Sequence, residues 1–289
     1  MKILVIGGGG MLGHKLVQMW QARHDVRTSL RSSFSEYERY GIFEREKVFE
    51  HINVENFGSI EKIAHDWEPQ VIVNAVGIIK QLPTAKNVVR TLQINSVFPH
   101  QLAELAQKYA ARLINIGTDC VFDGRRGGYT EADFPNAADL YGKSKNLGEV
   151  TGKNCLTLRT SIIGRELKTA HSLVEWFLSN EGKRVRGFTK AIYSGFPTLI
   201  FAGILERLLT DFPELDGLYQ VSSEPINKYE LLELIRAAYR ADIEIEPFGD
   251  FEIDRSLDSS RFRAATGLKF PDWETMIERM AGDNAVYRR

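Results

Sequence analysis

Short apolar runs alternate with longer amphipathic segments along the first two-thirds of the chain. The runs VIVNAV and RLINI are hydrophobic almost throughout, which is typical of strands that are covered on both faces of a sheet. The segments between the runs repeat their apolar residues at helical spacing. The pattern predicts strands at 2–6, 25–30, 48–52, 71–76, 112–116 and 155–159, and helices at 11–22, 59–67, 97–110 and 143–151.

The pattern becomes less regular after Gly164. Alternating β and α units predict an α/β fold with a doubly wound parallel sheet, followed by a smaller C-terminal α/β lobe. We expect one domain to span 1–163, with 195–222 returning to it, and the lobe to span 164–194 and 223–289. In this part the pattern predicts a helix and a loop at 166–182, helices at 196–212, 229–240 and 272–280, a strand at 217–223 and an acidic β-like stretch at 243–246.

The composition narrows the possible partners. The 289 residues include 37 basic and 38 acidic side chains, so the net charge gives no reason to expect binding to nucleic acid or to an anionic membrane surface. The two cysteines, Cys120 and Cys155, form neither a disulfide framework nor a zinc motif, and we predict no metal site. No apolar run reaches the roughly 20 residues of a membrane helix, and MKILVI is typical of a buried strand rather than of a signal peptide. We therefore expect a soluble, cytoplasmic protein.

A glycine-rich turn follows the first predicted strand directly. Its sequence, GGGGMLG, places Gly7, Gly10 and Gly13 at the spacing that is found in short-chain dehydrogenases. Glycines allow the backbone to approach a pyrophosphate closely, and the next helix directs its free N–H groups towards the phosphates. The turn, with Met11 and Leu12 inside it, predicts a dinucleotide site on a Rossmann-type sheet.

The residues after the second strand indicate which dinucleotide is bound. An acid at this place binds the ribose hydroxyls of NAD, whereas a basic group binds the 2′-phosphate of NADP. Here the strand runs into Arg31 and Ser32, and the next acid is Glu36. The sequence therefore predicts NADP(H) in preference to NAD(H). The remaining predicted cofactor residues follow the third predicted strand, close the fourth or begin a helix: Asn53, then Asn74, Ala75, Val76 and Gly77, and Asn95.

A tyrosine and a lysine stand four residues apart in YGKSK. This spacing places Tyr141 and Lys145 on one face of a helix. A nearby ammonium lowers the pKa of a tyrosine from its ordinary value of about 10, and proton transfer near neutral pH then becomes feasible. Thr118 ends another predicted strand and is placed to hydrogen-bond the same carbonyl oxygen. The three residues predict a reductase site.

Five motifs occur in the order that is found in extended short-chain dehydrogenases: GGGGMLG, VIVNAVG, INIGTDCVFDG, LYGKSKNLGE and SGFPT. Over about residues 1–225 the chain resembles the dTDP-4-dehydrorhamnose reductase family. The resemblance implies a Rossmann domain for the cofactor, a C-terminal lobe for a nucleotide-sugar and, as the family default, a homodimer. It also implies that Thr118, Tyr141 and Lys145 form the catalytic triad and that Lys145 holds the nicotinamide ribose.

One departure from the family concerns the substrate. Rhamnose reductases carry an aromatic residue where this chain has Cys120, whereas 4,6-dehydratases carry a glutamate near this place. A thiol cannot replace that carboxylate, which disfavours dehydration, and the loss of the aromatic loosens the link to rhamnose. The predicted substrate residues follow two strands or belong to a basic cluster before Gly187: Cys120, Val121, Phe122, Arg159, Thr160, Ser161 and Arg186.

These observations predict an NADPH-dependent reductase of the C4 carbonyl of a nucleotide-linked 4-keto-6-deoxy-hexose, which serves surface-polysaccharide synthesis. The nucleotide, UDP or dTDP, and the identity of the sugar stay open. Two alternatives stay open as well: a nucleotide-sugar epimerase that keeps NAD tightly bound, and a non-catalytic regulatory subunit with the same fold.

Overall fold

A seven-stranded parallel sheet forms the centre of the protein in a computed structural model that describes residues 1–80 and 83–288. Its strand order is β3-β2-β1-β4-β5-β6-β10, in which β1 lies between β2 and β4. A change in the direction of winding beside the first strand is the usual place for a nucleotide. The strands of the whole chain are β1 Lys2–Ile6, β2 Asp25–Ser29, β3 Val48–Phe49, β4 Val71–Asn74, β5 Arg112–Ile116, β6 Cys155–Arg159, β7 Ile162–Ile163, β8 Arg184–Tyr193, β9 Phe196–Pro197, β10 Gly217–Gln220, β11 Ile226–Asn227 and β12 Glu244–Asp254.

Helices cover both faces of the sheet. Successive residues of β1 point to opposite faces: Ile3 packs with α1 and α7, whereas Leu4 packs with α2 and α4. Both layers are apolar, which explains why the strands are hydrophobic almost throughout. No described helix is long and apolar enough to cross a membrane. The helices are α1 Gly13–Trp20, α2 Phe57–Trp67, α3 Val88–Leu92, α4 Phe98–Lys108, α5 Leu140–Leu147, α6 Leu173–Leu178, α7 Thr198–Thr210, α8 Lys228–Tyr239, α9 Ser260–Thr266 and α10 Trp273–Gly282.

The smaller lobe is built on a three-stranded sheet with the order β11-β8-β12. Strand β8 pairs with β12 in parallel and with β11 in the antiparallel direction, and α8 packs against it. Strand β10 lies beside β6, so the chain returns to the central sheet between segments of the lobe. The predicted α/β fold is confirmed, and the predicted domain boundaries stay a prediction.

Three elements differ from the sequence prediction. The helix predicted at 143–151 begins at Leu140 and ends at Leu147, because the Asp139 carboxylate caps it by accepting a hydrogen bond of 2.9 Å from Gly142 N. The segment 166–182 holds only the short α6. The basic cluster before Gly187 lies at the start of β8, a strand that was not predicted, where exposed charged residues alternate with buried ones.

A buried ion pair joins the end of β6 to the residues after α5. The Arg159 guanidinium donates two hydrogen bonds to the Glu149 carboxylate, at 2.7 and 2.8 Å, and only 3% of the Arg159 side chain is exposed. Its charge also lies 5.2 Å from the centroid of the Phe122 ring. Arg159 was predicted to bind substrate, but its charge is matched inside the protein.

We predict that removing one partner of this pair destabilises the protein far more than removing both. Glu149→Leu leaves a buried guanidinium without a counter-charge, which costs about 3–5 kcal/mol of unfolding free energy. The double variant Glu149→Leu/Arg159→Met recovers most of that loss. Urea unfolding measures both, with Asp66→Asn in the exposed pair Lys62–Asp66 as the control. A loss for Glu149→Leu no larger than that of the control would contradict the assignment.

Candidate active site

The glycine-rich turn is packed too tightly for side chains at several positions. Gly7 has φ +95°, and a Cβ on Gly13 would overlap the Gly7 carbonyl oxygen. Gly10 N donates to the same oxygen at 3.0 Å, which closes the turn directly before α1. The first turn of α1 therefore lies next to the end of β1, with Met11 and Leu12 between them. This geometry fits the pyrophosphate of a dinucleotide, for which the free N–H groups of a helix start are the usual ligands.

The residues after β2 lie beside this turn. Gly8 N donates to Ser29 O at 2.9 Å, so the chain that continues into Arg31 and Ser32 starts at the cofactor edge of the sheet. Arg31 is exposed. The Glu36 carboxylate also reaches this place, and the Lys168 ammonium holds the pKa of Glu36 below its usual range. Lys168 is not among the predicted site residues, because only the fold brings residues this distant in the chain together.

The asparagines near β4 have structural partners. Asn74 donates to Asn115 Oδ1 at 2.9 Å and accepts from Val76 N at 3.2 Å. Asn95 does not cap a helix as expected: it lies in the π-helical turn Gln93–Val97 between α3 and α4. Its amide accepts from Ile78 N and donates to Ile78 O, at 2.8 and 3.0 Å.

These contacts shape the wall beside the cofactor edge. The Asn95 amide also donates to Ser144 Oγ on α5, at 3.1 Å, which connects the residues after β4 to the catalytic helix. Ala75 and Gly77 lie between β4 and Ile78 and line the same edge. Asn53 is exposed in the turn before α2, where its Oδ1 accepts from Glu55 N at 3.2 Å. The cofactor roles of these residues stay predictions.

The predicted catalytic residues come together at the carboxyl end of β5. Tyr141 and Lys145 stand one turn apart on α5, and Thr118 follows β5. The Lys145 ammonium donates to Ile116 O at 2.7 Å, which holds the helix against the strand end. Thr118 Oγ1 accepts from Cys120 N and donates to Asp119 Oδ1, both at 3.1 Å.

Gly142 permits the close packing at this point. A Cβ on Gly142 would overlap the Cys120 carbonyl oxygen and the Ala137 side chain. The glycine between Tyr141 and Lys145 therefore allows α5 to lie directly on the Thr118–Phe122 turn. The spacing Tyr-Gly-x-x-Lys is consistent with this packing requirement as well as with the chemistry.

Burial dominates the electrostatics of the site. Burial raises the pKa of Tyr141, the neighbouring Cys120 raises it further, and a hydrogen bond with the Thr118 hydroxyl lowers it. The pKa of Tyr141 is therefore not below its ordinary value as expected, because the effect of burial is the largest. Burial also lowers the pKa of Lys145 to about 8 and raises that of Asp119. Tyr141 is accordingly a protonated donor across the neutral range, and Lys145 is mostly cationic there.

The predicted substrate residues have different environments. Cys120 is partly exposed next to Tyr141, and burial raises the pKa of its thiol to about 12. Val121 and Phe122 are fully buried, with the Phe122 ring stacked on Tyr129 at 4.2 Å. Thr160 is buried as well, whereas Ser161 is half-buried.

The basic cluster lies away from this group. The Arg186 guanidinium covers the Phe248 ring at 4.5 Å, near the far end of β8 from Tyr193. The structure instead places Lys228, the first residue of α8, in the electrostatic range of Asp119 and Cys120. No group of three or more potential metal ligands is found in the described ranges.

A family model described as the RmlD substrate binding domain matches residues 1–285. The chain belongs to this family. Among curated relatives, the dTDP-4-dehydrorhamnose reductase of Aggregatibacter actinomycetemcomitans is 24% identical, over 96% of this chain and 97% of the relative. The mouse methionine adenosyltransferase 2 subunit beta is 30% identical over 155 residues, 51% of this chain. That match spans 41% of the mouse protein, about two fifths of its length.

Solved structures show the same fold. A hypothetical dTDP-4-dehydrorhamnose reductase from Sulfolobus tokodaii has a TM-score of 0.78 at 26% identity, with coverage of 95% of this chain and 98% of that one. The dTDP-4-dehydrorhamnose reductase of Bacillus anthracis, solved in complex with NADP, also has a TM-score of 0.78, at 21% identity. Coverage there is 97% of this RmlD-family chain and 98% of the other.

We predict that Gly142→Ala destabilises the protein although alanine favours helices. The added methyl group would overlap the Cys120 carbonyl, and relieving such an overlap costs about 1–3 kcal/mol. Gly58→Ala on α2 is the matched control, because the nearest atom to its Cβ is Asn56 Oδ1 at 3.6 Å. That variant should be neutral or gain up to about 1 kcal/mol. Urea unfolding measures the free energy of unfolding of both variants. Equal changes of the same sign in the two variants would refute the packing argument.

Proposed function

We propose that this protein is an NADPH-dependent reductase of the C4 carbonyl of a UDP- or dTDP-linked 4-keto-6-deoxy-hexose, in the synthesis of surface-polysaccharide precursors. The observation that carries the proposal is the grouping of Thr118, Tyr141 and Lys145 at the sheet edge that also holds the glycine-rich turn. Membership of the RmlD family and the full-length similarity to a dTDP-4-dehydrorhamnose reductase support it. A cytoplasmic homodimer is part of the same proposal.

The cofactor assignment rests on the turn and on the residues after β2. Gly7, Gly10 and Gly13 fit a pyrophosphate, and Arg31 and Ser32 fit a 2′-phosphate. A neighbour of the same fold was solved with NADP, whereas others were solved with NAD. Bound NADPH supplies the hydride.

The side chains of this chain supply the proton and its positioning. Tyr141 donates its proton to the carbonyl oxygen as negative charge develops there, while the Thr118 hydroxyl turns from Asp119 Oδ1 and donates its hydrogen bond to the same oxygen. The Lys145 ammonium, anchored on Ile116 O, supplies the positive charge that stabilises the tyrosinate after transfer. Because burial keeps Tyr141 protonated, the acid form is the resting form, as carbonyl reduction requires.

A second candidate is a non-catalytic regulatory subunit. The similarity to methionine adenosyltransferase 2 subunit beta favours it, although the match takes in about half of this chain. The third candidate is an epimerase with tightly bound NAD, which would use the same Tyr141 and Lys145. The intact triad weighs against the regulatory role, and Arg31 weighs against the epimerase.

One assay separates the three candidates. The purified protein is mixed with UDP- and dTDP-linked 4-keto-6-deoxy-hexoses and either NADPH or NADH, and oxidation is followed by absorbance. A reductase oxidises NADPH only in the presence of the sugar nucleotide. An epimerase converts its substrate without added cofactor and releases NAD⁺ on denaturation. A regulatory subunit shows neither activity, and that outcome would overturn the proposal.

We predict that Tyr141→Phe lowers kcat by about 10²–10⁴-fold, the usual contribution of a general acid. The affinity for NADPH should stay within a factor of about two, because the phenol donates to substrate rather than to the dinucleotide. Steady-state kinetics and a fluorescence titration of NADPH measure the two effects. Tyr109→Phe, at the half-buried residue that caps the end of α4, is the control. Normal turnover in the Tyr141 variant would rule out the assigned acid.

We predict that kcat/KM falls as the pH rises through about 8. Burial lowers the pKa of Lys145 to about 8, and the required form is the cation, which is present below this pH and lost above it. Lys145→Arg should remove most of this decrease in kcat/KM at alkaline pH, since guanidinium does not titrate in this range. A pH–rate profile from 6 to 10 tests both statements. If kcat/KM of the arginine variant falls with pH as it does in the wild type, the decrease belongs to another titrating group.

A further inference from the structure

Lys168 joins the segment before α6 to the cofactor edge of the central sheet. Its ammonium pairs with the Glu36 carboxylate and lies 3.4 Å from Ser32 Oγ. It also lies 4.8 Å from the centroid of the Tyr37 ring. Lys168 is therefore a cation from a distant part of the chain that stands beside the residues directly after β2.

The electrostatics of this place need a second cation. Ser32 lies where the 2′-phosphate of NADP is bound in this fold, but the Glu36 carboxylate lies there too. Arg31 alone would balance Glu36 and leave no net charge for a phosphate. A second carboxylate, Glu50, accepts from Ser33 Oγ and is balanced by Arg45. With Lys168, the cations Arg31 and Lys168 then exceed the Glu36 carboxylate by a single positive charge. A phosphomonoester dianion is attracted by that excess, whereas a ribose hydroxyl gains little from it.

We propose that Lys168 is a specificity-determining residue that binds the 2′-phosphate of NADPH together with Arg31. The inference rests on the proposed function in taking a dinucleotide as cofactor, and it adds the residue that selects the phosphorylated form. An incoming phosphate replaces or shares the Glu36 carboxylate as the partner of the ammonium. The Lys168 side chain has three N–H donors and is 34% exposed, so it can make this exchange without leaving its place.

The position of Lys168 does not depend on Glu36 alone. The preceding residue accepts a hydrogen bond, since Tyr40 Oη donates to Leu167 O. The Tyr37 hydroxyl packs against the glycine-rich turn, where a Cβ on Gly9 would come within 2.5 Å of it. The segment around Leu167 is thus hydrogen-bonded to Tyr40, and Tyr37 packs against the glycine-rich turn. The backbone that carries Lys168 is therefore held at the site, although the side chain itself is partly exposed.

Dinucleotide affinity tests the inference directly, without turnover. Isothermal titration with NADPH and NADH is performed on the wild type, Lys168→Met, Lys168→Arg and Lys190→Met. Lys190 is the matched control, since it is an exposed lysine that lies 3.9 Å from a carboxylate of its own lobe, Glu252. We expect Lys168→Met to weaken NADPH by about 10–100-fold, as for loss of a charged hydrogen bond, with NADH changed less than about twofold. Lys168→Arg should keep most of the preference, and Lys190→Met should equal the wild type.

The variant Glu36→Gln tests the opposite change in charge at this place. Removing the competing carboxylate should tighten NADPH several-fold and leave NADH unchanged. Equal effects of Lys168→Met on both dinucleotides, or no effect on either, would overturn the role of Lys168. Weaker NADH binding by Glu36→Gln would also overturn it, because Glu36 would then bind the ribose hydroxyls. If Lys168→Met still reduces the sugar nucleotide and its NADPH affinity is unaltered, this inference alone fails. If the wild type binds neither dinucleotide, the proposed function fails with it.

Discussion

The close approach of α5 to the end of β5 is the constraint on which the candidate site depends. Gly142 removes the side chain that would overlap the Cys120 carbonyl, and the Lys145 ammonium bonds Ile116 O. On the other side of the helix, Ser96 Oγ donates to Ser144 O at 2.8 Å. A Cβ on Gly148 would overlap Asn95 O, so the end of α5 is also packed against the π-helical turn. Contacts on both sides leave Tyr141 little freedom, and a fixed acid is what proton transfer requires.

The same packing creates the electrostatic conditions of the site. Removing water from around Tyr141 keeps the phenol protonated, and removing it from around Lys145 brings the pKa of that ammonium down to about 8. Both effects oppose charge, yet the proposed reaction needs one charged and one neutral group. Two contacts favour the cation: the Glu149 carboxylate raises the pKa of Lys145, and an ammonium donates a stronger hydrogen bond to the Ile116 carbonyl oxygen than a neutral amine does. The protonation states of Tyr141 and Lys145 thus follow from burial together with the contacts of the ammonium.

Local signals predicted much of the fold and the centre of the site. The glycine turn, the apolar strands and the Tyr141–Lys145 spacing each depend on residues that are close in sequence, and the structure places them as expected. The misses depend on distant residues. The ion pair of Arg159 with Glu149 was not predicted, because it is visible only once β6 lies beside the end of α5, and the substrate role of Arg159 stays a prediction. Lys168 reaches Ser32 across the fold, and Asn95 reaches Ile78 across a loop. Strand β8 was missed because its exposed face is basic and short of apolar residues.

Cys120 shows why the reaction is assigned more narrowly than the sugar. Burial holds its thiol protonated, so it offers neither the carboxylate that dehydration requires nor a thiolate nucleophile. In the proposed reaction, proton transfer therefore falls to Tyr141, whichever sugar is bound. The thiol is also smaller than the aromatic that the resemblance to rhamnose reductases implies at this position. The lobe brings Lys228 to the same turn as a partly desolvated cation. In the proposed reaction, sugar selection thus depends on a thiol and on the lobe, while the reduction itself depends on α5 and on the end of β5.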